Sequence, residues 1–320
     1  MSFSGEVKTE LIEVRLRRND DGVKLVAGFT LAGASLKYST SHRRWGLHFV
    51  SENSACINFI AKLACRAYDL EPEISLNVHQ RLRARNTELF LCGKDVDRLC
   101  LDSGLISLDE NGEKTFTPRL PEGLEAEHAC RAFVRGVFLA CGTVSDPSSG
   151  CHAELVLKNE QVAKGIAELL AERQIPPKIT TRRGLRVVYM KNGDTVEDFL
   201  TFMGAGEAML AVREQRMLRE VKNNSNREVN CFSANMEKAA KASAAQVEDI
   251  RLIISELGPD ALSEGLYEVA YARMGNPELT LSELAAAVGI GRSAVNYRLK
   301  RIAAIAAEIR KQNGRNANTD

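Results

Sequence analysis

The 320-residue chain is 44% hydrophobic and 27% charged, the balance of a globular protein with a real core, and its net charge is only +1. No apolar run approaches the roughly 18 residues of a membrane helix, and the polar start MSFSGEVKTE lacks a signal-peptide apolar region, so the expected location is the cytoplasm, with no membrane partner. Eight cysteines without a CxxC pair, and no His/Cys cluster at ligand spacing, read as free thiols of a reducing compartment, with neither structural metal nor cofactor.

The first signal along the chain is a tandem repeat. Val23–Ser39, Ser51–Leu76 and Leu89–Ile106 have counterparts about 105 residues further on, in Cys130–Pro147, Lys158–Thr181 and Val187–Ala205. Each copy, over residues 22–106 and 124–205, reads as a helix with a central glycine, two strands, an amphipathic helix, two strands and a short helix. Two αββαββα units predict a pseudo-twofold α+β domain over residues 1–205. Small residues around Gly28 and Gly136 would let the glycine-bearing helices meet closely at its axis. Lys178, Arg182, Arg183 and Arg186 cluster on strands of the second copy. They are a candidate secondary DNA contact, weighed equally against a solvated strand face. Arg81, Arg83 and Arg85, in a loop of the first copy, have no counterpart in the second.

Residues 206–242 read as an interdomain helix (Met209–Asn223) followed by a polar, turn-forming link (Lys222–Asn235). Val247–Leu257 and Ala261–Met274 then have apolar residues at helical spacing, broken at Gly258–Pro259.

The segment Leu281–Ile302, LSELAAAVGIGRSAVNYRLKRI, carries a sharper pattern within a predicted all-α domain over 243–311. Leu281, Leu284, Ala285 and Val288 recur at helical spacing, with Ser282–Glu283 as a start signal. Gly289 suits a left-handed corner, and Val295, Leu299 and Ile302 give a second apolar stripe. That is a helix-turn-helix, whose second helix offers its opposite face to the major groove. Here the candidate DNA-binding residues are Arg292, Ser293, Asn296, Tyr297, Arg298, Lys300 and Arg301. Asn and Arg can read adenine and guanine edges, and the other side chains suit phosphates. Gly291–Lys311 holds six basic residues against Glu308 alone, so the near-neutral chain has a basic end. Residues 312–320 are expected to be a disordered tail.

VAGFTLAGAS (Val26–Ser35) and VRGVFLACGT (Val134–Thr143) resemble degenerate copies of the LAGLIDADG helix of homing endonucleases. The family's metal-binding acids correspond to Gly33 and Cys141. Neither supplies the oxygen a hard cation needs, so no catalytic residue and no enzyme activity is expected. With MSFSGEVK, the SDP at Ser145–Pro147, VNCFSAN, QVEDIRLI and SAVNYRLKRI, nearly the whole chain resembles the WhiA family of bacterial regulators. The resemblance implies a degenerate LAGLIDADG-like domain joined to a helix-turn-helix, acting on double-stranded DNA of sporulation or cell-division genes at the nucleoid. Two other readings stay open: a residual metal-dependent nuclease using Asp146, and an interaction module for a partner protein with weak DNA anchoring. The pseudo-twofold is internal to the chain, which favours a monomer.

Overall fold

Ser2 opens the first element by accepting a hydrogen bond from the Gly5 amide, and Phe3, Val7 and Leu11 then recur one turn apart, burying one edge of α1 (Phe3–Glu13). The sequence pattern does not signal this helix, because its apolar stripe is a single residue wide. The computed structural model describes residues 2–40, 43–79 and 84–316, so Arg81 and Arg83 lie outside it. The chain divides into two units, Met1–Arg219 and Glu220–Asp320, each with its own hydrophobic core.

The N-terminal unit has the repeated order the sequence predicts. The first copy runs α2 (Asn19–Gly33), β1 (Ser35–Ser39), β2 (Arg44–Ser51), α3 (Ser54–Ala67), β3 (Leu70–His79), β4 (Ala84–Gly93) and α4 (Val96–Asp102). A small hairpin, β5 (Ser107–Leu108) and β6 (Lys114–Thr115), follows; its two-residue strands are too short to show a period. The second copy runs α5 (Glu127–Cys141), β7 (Gly142–Val144), β8 (Ala153–Leu157), α6 (Glu160–Ala171), β9 (Lys178–Arg182), β10 (Leu185–Met190) and α7 (Gly193–Met203). Each copy forms an antiparallel four-stranded sheet, ordered β1-β2-β4-β3 and β7-β8-β10-β9.

Helices α2 and α5, both of 15 residues, form the centre. They touch backbone to backbone. A Cβ added at Gly28 would lie 2.1 Å from the Phe133 carbonyl oxygen, and one at Gly136 would lie 2.0 Å from that of Leu25. Only glycine permits that approach. Leu25, Phe29, Phe133 and Val137 fill the seam around it.

The polar link is absent from the structure, as is the separate helix at 247. Gly206–Leu257 is one 52-residue helix, α8, passing from the first unit into the second. The stretch Lys222–Asn235 is rich in Asn and Ser, but no Gly or Pro interrupts the helix between Gly206 and Gly258. Asn and Ser each cost only about half a kcal/mol relative to Ala in a helix interior. Strong helix formers on both sides outweigh that cost.

Beyond a 3-10 turn at Pro259–Ala261 come α9 (Glu264–Gly275), α10 (Leu281–Val288) and α11 (Arg292–Asn316). The tail expectation is corrected for 312–316, which extend α11, while 317–320 lie outside the described residues. No described helix is long and apolar enough to cross a membrane.

Candidate nucleic-acid interface

The C-terminal unit is built around a tight corner. The cap of α10 is Thr280, one turn before Glu283 and ahead of the predicted start. The Glu283 carboxylate accepts from the Thr280 amide at 2.8 Å and the Thr280 hydroxyl accepts from the Glu283 amide, a reciprocal box written as T-x-x-E. These bonds hold the Glu283 carboxyl below its ordinary pKa. At the other end Gly289 takes φ 72° and ψ 24°, a left-handed turn that ends α10, and the Ile290 amide donates back to the Ala285 carbonyl. Leu284 and Ala285 of α10 then pack with Val295, Leu299 and Ile302 of α11 and with Val269 and Ala270 of α9.

That burial decides which side of α11 is free. Arg292, Asn296 and Lys300 form one row at four-residue spacing and Ser293, Tyr297 and Arg301 the next, and all six are exposed, Tyr297 by 70%. They make one polar, cationic strip opposite the apolar stripe, beginning at the helix N-terminus. Arg298 is separated from them. It turns to α9, where its guanidinium donates to the Gly265 carbonyl at 3.0 Å and pairs with Glu268 at 3.4 Å. Spacing alone could not show this, since Arg298 sits at the edge between the faces. Arg310 similarly bonds Asp249 of α8.

The second cluster does not converge. Lys178 lies opposite Tyr189 and Arg182 opposite Leu185, on the sheet face shared with Glu154, whose carboxylate Arg182 engages at 2.8 Å. Arg186 points to the other face. With Lys164 it holds Glu160, pulling that carboxyl down to about 2. Arg183 occupies the left-handed hairpin turn beside Gly184, at φ 51°. On the first sheet, the face that carries His48 and Phe90 carries Glu71, Glu73 and Glu88 beside Lys37 and Arg44, a mixed set of charges in which Arg44 pairs with Glu71.

The two helix ends where a nuclease would hold its metal are also explicit. Gly33 and Cys141 close α2 and α5, and a Cβ added at Gly33 would sit 3.1 Å from that of Ala140. The Cys141 thiol donates to the Val137 carbonyl, and burial pushes its pKa up to about 12, so it stays protonated. The Lys8 ammonium, whose pKa burial lowers and the nearby Cys56 and Cys141 oppose, lies 5.9 Å from the centre of the Phe138 ring. A glycine, a neutral thiol and a neighbouring amine do not fit a divalent cation. Asp146 is exposed, its carboxylate accepting from the amide and hydroxyl of Ser148. Among the described residues one group of possible ligands gathers elsewhere, Asp20, Asp21 and His128. Asp21 is engaged by the amides of Arg17 and Arg18 and by His128 Nδ1, and Arg18 meets His128 Nε2 at 2.8 Å, so the group is an internal cap of α2.

Two family models match the chain. One, described as the WhiA LAGLIDADG-like domain, covers residues 130–222, and the other, the WhiA C-terminal HTH domain, covers residues 225–306. A protein of Clostridium acetobutylicum named "Probable cell division protein WhiA" is 32% identical over 316 residues, spanning 98% of this chain and 99% of its own. One of the same name from Lactiplantibacillus plantarum is 32% identical over 315 residues, spanning 97% and 99%. The crystal structure of full-length DUF199/WhiA from Thermatoga maritima shares the fold, with a TM-score of 0.59 at 24% identity, covering 96% of this chain and 99% of that one.

Proposed function

The chain belongs to the WhiA family, and from that membership we propose that it is a sequence-specific DNA-binding regulator of transcription that serves cell division, as the names of its relatives indicate. The observation that carries this reading is the α11 strip of Arg292, Ser293, Asn296, Tyr297, Lys300 and Arg301, exposed along one face while the opposite face is buried. In this reading Asn296 and Arg292, near the helix start, read base edges. Lys300 and Arg301 answer to phosphates. The N-terminal unit acts as a scaffold and not as a nuclease, because Gly33 and Cys141 offer no oxygen for a metal. The protein works in the cytoplasm, at the nucleoid.

Duplexes selected from a random pool by the full-length chain, at low and at physiological salt, test the reading. One enriched motif that survives the higher salt supports it, because nonspecific phosphate binding falls steeply with salt. Binding that disappears without an enriched motif overturns it. A secondary contact through Lys178, Arg182, Arg183 and Arg186 has less support, since Arg182 and Arg186 are paired with Glu154 and Glu160. Reversing the charges of Lys178 and Arg183 should leave duplex affinity unchanged.

A second reading, docking of a partner protein, is favoured by the exposed Val221, Val229, Phe232 and Met236 on one side of α8. Val229→Asp separates the two readings. It should abolish capture of a partner from host extract and leave DNA selection intact.

A further inference from the structure

Beside the N-terminus of α10 the C-terminal unit holds a cavity of about 560 Å³, within the usual range for a small-molecule site. Its walls mix apolar side chains, Phe232, Met236 and Ala239 of α8 and Leu279 and Leu281 opposite, with polar ones such as Asn235 and Gln246. Its charged groups are all of one sign. Arg273 and Arg292 line it, and among the described residues no Asp or Glu does, although the Glu283 carboxylate bonds the amide of Thr280 at its edge.

Arg273 is the unusual member. It is only 2% exposed, and no carboxylate lies within salt-bridge distance of it among the described residues. Its Nη1 donates to the Leu279 carbonyl at 2.6 Å and reaches the Ser243 hydroxyl and the Pro277 carbonyl at 3.4 and 3.5 Å, but among the described residues its buried Nε has no hydrogen-bond partner. A guanidinium taken from water with only the more distant Glu278 carboxylate to offset its charge is costly to the fold unless something else answers it.

We propose that this cavity binds a small amphipathic organic anion, its apolar body against α8 and its carboxylate, sulfonate or phosphate head toward Arg273 and Arg292. Arg292 also opens the α11 strip, so an anion that engages it competes with DNA for the same side chain. That second clause rests on the DNA-binding reading. Coupling of this kind is reciprocal, so duplex binding weakens the anion equally.

The test uses 8-anilinonaphthalene-1-sulfonate, an aromatic body with one anionic head, titrated into the full-length chain without DNA and followed by fluorescence. Saturable one-to-one binding is expected. The uncharged N-phenyl-1-naphthylamine should bind at least about tenfold more weakly, the scale of one charge-assisted hydrogen bond. Ala239→Phe, which fills the cavity from an exposed helix position, should weaken the sulfonate by a similar factor. Met236→Glu should weaken the sulfonate more than the neutral amine. Equal affinity for the two probes, or sulfonate binding unmoved by both substitutions, would overturn the proposal by placing the dye on exposed apolar surface. With the probe saturating, duplex affinity should fall severalfold, and an unmoved value overturns the competition for Arg292. If the chain binds no duplex at all, the function reading fails, while the titration without DNA still decides the cavity.

Discussion

Replacing Gly136 by Ala tests the seam at the heart of the N-terminal unit. The new methyl would lie 2.0 Å from the Leu25 carbonyl oxygen and 2.9 Å from the Phe29 nitrogen, both backbone atoms of α2. Carbon–oxygen contacts settle near about 3.3 Å, so the helices must part by more than about 1 Å. Separation on that scale strips packing from Leu25, Phe29, Phe133 and Val137, each at most 2% exposed. Losing a third of the burial energy of four such side chains amounts to about 4 kcal/mol. The better helix propensity of Ala returns about 1 kcal/mol, leaving a net loss of about 3 kcal/mol. The single tryptophan, Trp45, lies in β2, so its fluorescence during urea unfolding of the full chain reports on this unit alone. With a slope of about 3 kcal/mol per molar urea, the midpoint should fall by about 1 M. Gly28→Ala demands the same separation from the other side, its methyl lying 2.1 Å from the Phe133 oxygen. The double variant should therefore cost much less than the sum of the singles. A midpoint shift under about 0.3 M for Gly136→Ala, or additive losses in the double variant, would refute the reasoning.

Three other predictions concern the cap of α2, the proposed DNA-reading face of α11 and the proposed lack of nuclease activity. Burial pushes the Asp21 carboxyl up, but the hydrogen bonds from His128, Arg18 and Arg17 outweigh it and leave the pKa below its ordinary 3.8. Its stabilisation is therefore complete above the unfolded value and is lost as pH falls through the folded one. Urea titrations of Asp21→Asn should show a loss of about 1–2 kcal/mol at pH 7 that vanishes in the acid range below 3.8. Arg298→Ala should lower the melting temperature of the C-terminal unit without altering base preference. Lys300→Ala should weaken all duplexes alike and reduce the salt slope by about 0.9, and Asn296→Ala should relax base preference, all readable in one mobility-shift series. Supercoiled plasmid incubated with the chain and magnesium should stay intact, and nicking that Asp146→Ala abolishes would restore the nuclease reading.

The tandem repeat and the helix-turn-helix were legible because each rests on a local code. Gly28 and Gly136 stand in matching patterns of small and apolar residues, and the Gly289 corner falls between two stripes of helical period. Elements that depend on balance were less legible. Asn- and Ser-rich composition argues for a turn at Lys222–Asn235, yet it carries too small a penalty to stop α8. The cap of α10 was readable in principle, since Thr280 and Glu283 have capping-box spacing, but Ser282 masked it.

By itself, then, the sequence determined the periodicities, the corner glycines and the lack of acids at Gly33 and Cys141, because backbone preference and ligand chemistry belong to each residue wherever it sits. Only the tertiary structure decided which charges remain available. Arg298 and Arg310 are spent on α9 and α8, Arg182 and Arg186 part to opposite faces of one sheet, and Arg273 is buried with its Nε unpartnered among the described residues. The physical reason is range. A long cationic side chain reaches partners that lie far away in sequence, and whether it meets a carboxylate, a carbonyl or solvent is settled by packing between elements.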